Sequence, residues 1–322
     1  MLRKLLLVAF SIVALGIGGL LAFRYLASAE TFTNVVLDAS RAAVGLTRKE
    51  ITLPDGLHYA YLEGGTGEPL LLLHGFGADK DDFLQIAPYL SKRYHLIIPD
   101  HIGFGESSKP PALNYGPDAQ AKRLHALLLA IGVTGPVHVG GNSMGGMITI
   151  HYGLNFPADT ISLWLLNPAG ATSSPPTDFM ATALKSSARN PLEIHSTDDM
   201  AFLVTKAAFK PPYIPRPMIE VMAKGRIANQ ALEKKVFVDM FGDNTEKRLA
   251  DIAMPTLIVW GDKDEILHPA GADIMKKLIP FSKMIMMHDV GHMPMIEDPA
   301  RSASDFLQFE DALNSVHQTK TK

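Results

Sequence analysis

The chain has 322 residues, 47% of them hydrophobic, with 30 basic side chains against 33 acidic ones and a net charge of −3. Length and apolar fraction suit one large α/β domain with an insertion or tail, and the near-neutral balance offers no electrostatic footprint for nucleic acid. The absence of cysteine excludes disulfides, a lipoprotein anchor, thiolate zinc sites and a cysteine nucleophile.

Met1-Leu2-Arg3-Lys4 precedes an uncharged apolar run over residues 5–23. As a helix that run measures about 28 Å, matching the hydrocarbon core of a bilayer. Residues 1–28 are therefore expected to be a transmembrane anchor, with Arg3 and Lys4 keeping the N-terminus cytoplasmic and the rest of the chain periplasmic in a bacterial host. Arg24, Arg41, Arg48 and Lys49 beyond the run act against that orientation. The competing reading is a secretory signal cleaved near Ala29, because Ala27-Ser28-Ala29 has the small-x-small form of a cleavage site; the run is longer than the roughly 7 to 15 residues usual for one. A buried core helix fits poorly, since both flanks are basic and no face is polar.

Residues 29–49 read as an amphipathic linker, and the domain core is expected over 50–170 and 251–316. It begins with a hairpin around Pro54-Asp55-Gly56. Residues 70–73 are four leucines, as for a strand buried on both faces of a parallel sheet, and they run into His74-Gly75-Phe76-Gly77. A backbone N–H in this position, that of Phe76, can face a developing oxyanion. His74 itself is read as holding the loop by hydrogen bonds rather than acting chemically. Residues 82–92 read as a helix, 94–99 as a buried strand and 115–131 as a helix. Asp100 follows a strand but lies upstream of the nucleophile described next.

Val137-His138-Val139-Gly140-Gly141-Asn142-Ser143-Met144-Gly145-Gly146 carries a β-branched strand through Gly-x-Ser-x-Gly into a helix-periodic segment at 144–155. Turning from strand to helix in so few residues requires glycines at 141 and 145, and it presents Ser143 at the apex as a nucleophile. The N–H of Met144, the residue after it, is the second oxyanion donor. A helix-capping role for Ser143 explains only one of the glycines. His151, on the helix, is read as packing. Residues 161–166 are the next strand, followed by Asn167-Pro168.

Over residues 171–250 the alternation of buried strands stops and short helices separated by proline-rich stretches suggest an inserted cap. Its Met and Phe side chains, among them Phe179, Met180, Met200, Phe202, Phe237 and Met240, either wall an apolar slot or form the cap's own core, and for most the second reading is the simpler. Strands resume at 255–260 and 283–287. The first is followed by Gly261-Asp262-Lys263-Asp264, the second by His288-Asp289-Val290-Gly291-His292. The order serine, acid, histidine is thus complete. Asp264 is the expected acid because Gly-x-x-Asp turns the loop over the strand end first, with Asp262 as the alternative. His292 is the expected base because Gly291 permits a tight loop; His288 is the alternative, and His268 reads as loop surface. Met147 and Met293, with Phe76, are expected to contact substrate, and thioethers suit acyl chains of several lengths. A helix from Pro299 to about Asn314 closes the domain, leaving 317–322 as a tail.

His74-Gly75-Phe76-Gly77, Gly141-Asn142-Ser143-Met144-Gly145-Gly146, Asn167-Pro168-Ala169-Gly170, Trp260-Gly261-Asp262-Lys263-Asp264 and Gly291-His292 together resemble the α/β-hydrolase superfamily. Within it the chain is similar to membrane-anchored monoacylglycerol lipases and related bacterial lipases and esterases. The resemblance implies a mostly parallel eight-stranded sheet with an inserted helical cap, nucleophile Ser143, acid Asp264, base His292, oxyanion donors Phe76 and Met144, and a lipophilic ester or acylglycerol substrate. It implies no metal or organic cofactor and leaves the oligomeric state open. It also leaves the side of the membrane open, because related anchored members can face the cytosol. Cofactor-free perhydrolase or peroxidase chemistry and carbon–carbon bond hydrolysis use the same triad, and a non-enzymatic ligand-binding scaffold would be expected to lack one of its members.

Overall fold

The computed structural model describes residues 27–185 and 190–320. An eight-stranded sheet forms the frame, with strands β1 (Leu46–Thr52), β2 (His58–Gly64), β3 (Glu68–Leu73), β4 (Tyr94–Pro99), β5 (Val137–Asn142), β6 (Thr160–Leu166), β7 (Thr256–Gly261) and β8 (Ser282–Met287). Their spatial order is β1-β2-β4-β3-β5-β6-β7-β8. The β1–β2 hairpin is antiparallel, β2 meets β4 antiparallel, and every pairing from β4 to β8 is parallel.

The apolar runs explain the layering. Successive side chains of a strand point to opposite faces, so Leu71 and Leu73 enter the larger core with Val139, Ile148 and Leu165, while Leu70 and Leu72 enter a second core with Trp164, Leu166 and Phe306. The larger core is covered by α3 (Pro117–Ala130), α4 (Met144–Asn155) and α8 (Ala270–Leu278), the second by α2 (Ala87–Leu90), α9 (Pro294–Glu297) and α10 (Pro299–Lys320). Trp164 stacks on Phe306 with ring centroids 4.5 Å apart. Because β3, β5, β6, β7 and β8 run parallel, the loops that follow them all emerge at one edge of the sheet, the edge where open α/β sheets place their sites.

Between β6 and β7 the chain forms α5 (Asp178–Ala183), α6 (Thr197–Ala207) and α7 (Arg216–Phe241), with no strand among the described residues. Met200, Leu203, Ile194 and Ala223 make a small core of this insertion with Ile266, whereas Leu232, Val236 and Met240 of α7 join the larger core of the sheet domain. Leu184, Phe209, Ile227 and Val238 stay exposed. Phe202, 51% exposed, lies outside that packing.

Three elements differ from expectation. Residues 29–43 of the expected amphipathic linker form a helix, α1 (Ala29–Ala43), capped by the Ser28 side chain, and β1 begins at Leu46 rather than Glu50. Tertiary contacts decide this: the buried Arg41 donates Nε and Nη2 to the two carboxylate oxygens of Asp81 at 2.8 and 2.5 Å, and α1 packs along α7. Residues 82–92 are not one helix, because Asp79 caps a 3-10 turn at Lys80–Phe83 and Pro88 starts the separate α2. The final helix continues to Lys320, through most of the expected tail. The apolar run at 5–23 lies outside the described residues; among those described, no helix is long and apolar enough to cross a membrane.

Candidate active site

At the end of β5 the backbone enters Ser143 with φ 55° and ψ −116°, then begins α4 at Met144. A non-glycine residue in that left-handed region costs on the order of 1–3 kcal/mol. The turn is held from three sides. Ser143 N–H donates to Leu166 O at 3.0 Å, and Ser143 O accepts from Ala169 N at 2.9 Å and Met147 N at 3.1 Å. A Cβ on Gly141 would overlap the Gly145 carbonyl, and one on Gly145 would overlap the Leu73 carbonyl. One on Gly146 would lie 2.6 Å from Pro168 Cβ. The glycines are therefore required by close backbone approach, and Ser143 is left at the apex, half-buried.

Asp264, with a fully buried side chain, accepts from Ile266 N at 2.8 Å and Leu267 N at 2.9 Å on Oδ1. Its Oδ2 accepts from Asn167 Nδ2 at 2.7 Å, Trp260 Nε1 at 3.1 Å and His292 Nδ1 at 2.8 Å. An ionised carboxylate only accepts, so the His292 Nδ1 carries the proton and Nε2 presents a lone pair. Asp262 instead holds Asp289 N and the exposed His288. The two alternatives to the expected acid and base thus pair with each other, away from Asp264. His268 is exposed, as expected, and accepts from Ala270 N.

Further contacts place the His292 loop. Asn142 Nδ2 donates to His292 O at 2.9 Å and to Leu166 O at 3.0 Å, tying the residue beside the nucleophile to the histidine. His292 N–H donates to Ala207 O at the end of α6, 3.0 Å away. No hydrogen bond of His292 reaches Ser143 Oγ; such contacts are often long without substrate and tighten in the reacting complex. Gly291 sits in a tight loop: a Cβ there would lie 2.5 Å from Phe209 N and 2.9 Å from Glu297 Oε1.

The loop after β3 lies against the elbow, since a Cβ on Gly75 would be 3.4 Å from Ser143 Cβ. His74 holds this loop, as its fully buried Nδ1–H donates to Gly75 O at 2.8 Å and its Nε2 accepts from His101 N at 3.0 Å. Burial pushes its pKa down to about 3, so the ring is neutral. The Phe76 N–H has no acceptor among the described residues. The Met144 N–H, in the first turn of α4, has no acceptor within its helix. The Phe76 ring packs edge-on against Phe104 and against Phe237 of the insertion.

Met147 and Met293 are not brought together. Met147, one turn along α4, is 2% exposed in the larger core, whereas the half-buried Met293 packs against the second core. Asp100 is fully buried in a structural role, accepting from Lys80 N, Lys80 Nζ and Glu106 N. His151, expected as packing, is buried but polar in its contacts, bonded to Asp118 at 2.8 Å and Thr245 at 2.9 Å, with the Arg248 guanidinium on the same Asp118. Sequence reasoning gave no role to Asn142, Asn167 or the Trp260 indole. The available signal was weak: Asn167 adopts φ 44°, a conformation asparagine tolerates better than most residues, immediately before a proline.

Residues 68–299 match the alpha/beta hydrolase fold family. The chain belongs to that family. It is 44% identical to Lipase 3 of Moraxella sp. (strain TA144) over 87% of its own length and 90% of that lipase. It is 30% identical to the monoacylglycerol lipase ABHD6 of Mus musculus over 79% of its length and 77% of that enzyme. Among solved structures it is similar to "a membrane phospholipase A, a novel bacterial virulence factor", with a TM-score of 0.83 and 32% identity over 97% of this chain and 99% of that one.

The five donors on Asp264 separate it from Asp262 experimentally. Asp264→Asn is expected to lower turnover by about 10⁴ by presenting the wrong His292 tautomer, and Asp262→Asn by less than about tenfold. Steady-state rates on one soluble ester check both; a larger loss from Asp262→Asn than from Asp264→Asn would place the acid at Asp262.

Proposed function

We infer that the chain is a serine hydrolase of carboxylic esters with lipophilic acyl groups, acting through an acyl-enzyme on Ser143. The observation that carries this reading is the Asp264–His292 hydrogen bond beside a strained serine turn, in the chain order serine, acid, histidine. In the proposed reaction His292 Nε2 takes the Ser143 Oγ proton as Oγ attacks the ester carbonyl carbon. The carbonyl oxygen becomes the oxyanion, held by the N–H groups of Phe76 and Met144. Collapse breaks the bond to the leaving alkoxide, which receives the proton from His292. Water, deprotonated by the same imidazole, then attacks the acyl-enzyme, and as the acyl–Oγ bond breaks the imidazolium returns its proton to Ser143 Oγ and the acid is released. Asp264 stabilises the imidazolium formed in each half-reaction.

The relatives named lipases favour ester hydrolysis over perhydrolase or carbon–carbon bond chemistry on the same residues. Acylglycerol and medium-chain esters are the proposed substrates, supported by the name of the mouse relative. If each methylene buried adds up to about 0.8 kcal/mol, kcat/KM climbs by up to about fourfold per CH₂ from acetyl upward until the slot is full. Rates on p-nitrophenyl esters from acetyl to palmitoyl, beside mono-, di- and triacylglycerols, measure this, with Ser143→Ala inactive on all of them. A monotonic fall from acetate with no acylglycerol cleavage would reject the lipid assignment.

The apolar run at 5–23 is proposed to anchor the protein, with the catalytic domain on the periplasmic side. Its length supports this, as does the membrane phospholipase A similarity, which covers almost the whole chain. An uncleaved segment is supported by α1 as well, since Ser28 accepts from Thr31 N at 3.1 Å and cleavage after Ala29 would remove that cap. Carbonate-washed membranes are expected to retain the protein, and removal of residues 1–26 to release an active soluble domain. A soluble mature chain beginning at Glu30 would establish secretion instead.

A further inference from the structure

Within α7, Arg226 and Glu233 form a buried ion pair, each 6% exposed, with Arg226 Nε 2.9 and 2.8 Å from the two carboxylate oxygens. Neither residue belongs to the Ser143, Asp264 and His292 group. Burying two opposite charges is seldom justified by stability, since apolar side chains of similar volume often serve as well or better. The pair's surroundings indicate a different purpose. Arg226 Nη2 donates to Leu192 O at 2.8 Å, fixing a second nitrogen of the guanidinium within the insertion. Its Cζ stands 5.6 Å from the centroid of the Phe76 ring, within cation–π range. The guanidinium also lies against Gly77, whose φ is 71°: a Cβ there would overlap Cζ and Nη1 and come within 2.7 Å of Nε. Burial pushes the Glu233 carboxyl up, and the Arg226 charge opposes that shift.

We propose that Arg226, held by Glu233 and Leu192, is a positioning residue that clamps Phe76 and Gly77 from the insertion side, so that the Phe76 N–H stays aimed at the oxyanion. The inference rests on the function proposed above, in which Phe76 is an oxyanion donor. Phe76 is gripped on both sides: His74 fixes the Gly75 carbonyl from within the sheet domain, and the flat guanidinium bears on the ring and on Gly77 from α7. A planar group with donors on three edges performs this task. A lysine ammonium, a point charge on a flexible stem, does not. Gly77 is then required for two reasons, its left-handed backbone and the room it leaves for the guanidinium. The clamp also couples the insertion to the chemistry, because a shift of α7 moves the loop that carries the donor.

The clamp acts on the transition state more than on the ground state, which sets the test. Arg226→Lys and the apolar double variant Arg226→Met with Glu233→Leu are compared with the unmodified enzyme on p-nitrophenyl butyrate. A trifluoromethyl ketone, which binds as a tetrahedral oxyanion adduct, is titrated as inhibitor, and thermal melting reports folding. The double variant leaves no unpaired charge, so it keeps the test decisive if Arg226→Lys unfolds. The expected result is a kcat lower by about 10- to 100-fold, KM within about twofold, and ketone affinity weakened by the same factor as kcat/KM. Folded variants with undiminished kcat, or with a loss carried by KM while ketone affinity is unchanged, would overturn the proposal. Failure of the unmodified enzyme to cleave any ester would remove the hydrolase reading and this one with it; an active enzyme with unaffected variants removes only the clamp.

Discussion

The strained turn at Ser143 is the constraint on which the site depends. One residue at φ 55° reverses the chain from β5 into α4, and the reversal is possible only because Gly141, Gly145 and Gly146 leave room for the Leu73 carbonyl and the Pro168 ring. The same turn fixes three things at once. It projects the hydroxyl, leaves the Met144 N–H in a first helical turn without an intrahelical acceptor, and presses the loop after β3 against Ser143 Cβ. The proposed nucleophile and the proposed oxyanion site therefore rest on one backbone geometry. A strain of on the order of 1–3 kcal/mol is tolerated because three backbone hydrogen bonds and close packing over-determine it.

Around that turn, buried polar side chains act as braces. Asn142 links the elbow to the His292 carbonyl, Asn167 links the end of β6 to Asp264 and to Gly291 O, and the Trp260 indole donates to Asp264. Each such group is costly to leave unsatisfied away from water, so each bond made is a constraint on geometry as well as a source of stability. The helical insertion joins the same network, because Ala207 accepts from His292 N and the Phe209 backbone closes on Gly291. Arg226 and Phe237 approach the loop bearing Phe76 from the other side. The insertion thus touches both the loop bearing His292 and the loop bearing Phe76.

Where backbone sterics or strand burial act locally, the sequence was readable. The four leucines of β3, the Gly-x-Ser-x-Gly turn and the succession of strand-end loops carrying Asp264 and His292 all follow from short-range rules. Residues whose positions depend on distant partners were not readable in this way. The helix at 29–43 passed for a linker because short helices draw their stability from tertiary contacts, here Arg41 on Asp81 and the seat along α7. Met147 is four residues beyond Ser143, which on a helix that enters the core places it in the core rather than before a substrate. Asn142 and Asn167 lie inside motifs whose spacing gives them no role, and Arg226 lies in none; their contacts appear only when β5, β6, β7 and α7 are brought together. The tight loop that Gly291 permits is a matter of space, since the Phe209 backbone closes on that glycine.

The central claim is that Ser143 carries the acyl group between two half-reactions. Rapid acid quenching of the enzyme during turnover of p-nitrophenyl decanoate, followed by peptide mass spectrometry, tests it most directly. The account predicts a decanoyl ester on the peptide containing Ser143, formed within the first turnover and absent from Ser143→Ala. A product burst with the acyl group on another residue, or sustained turnover by Ser143→Ala, would contradict it.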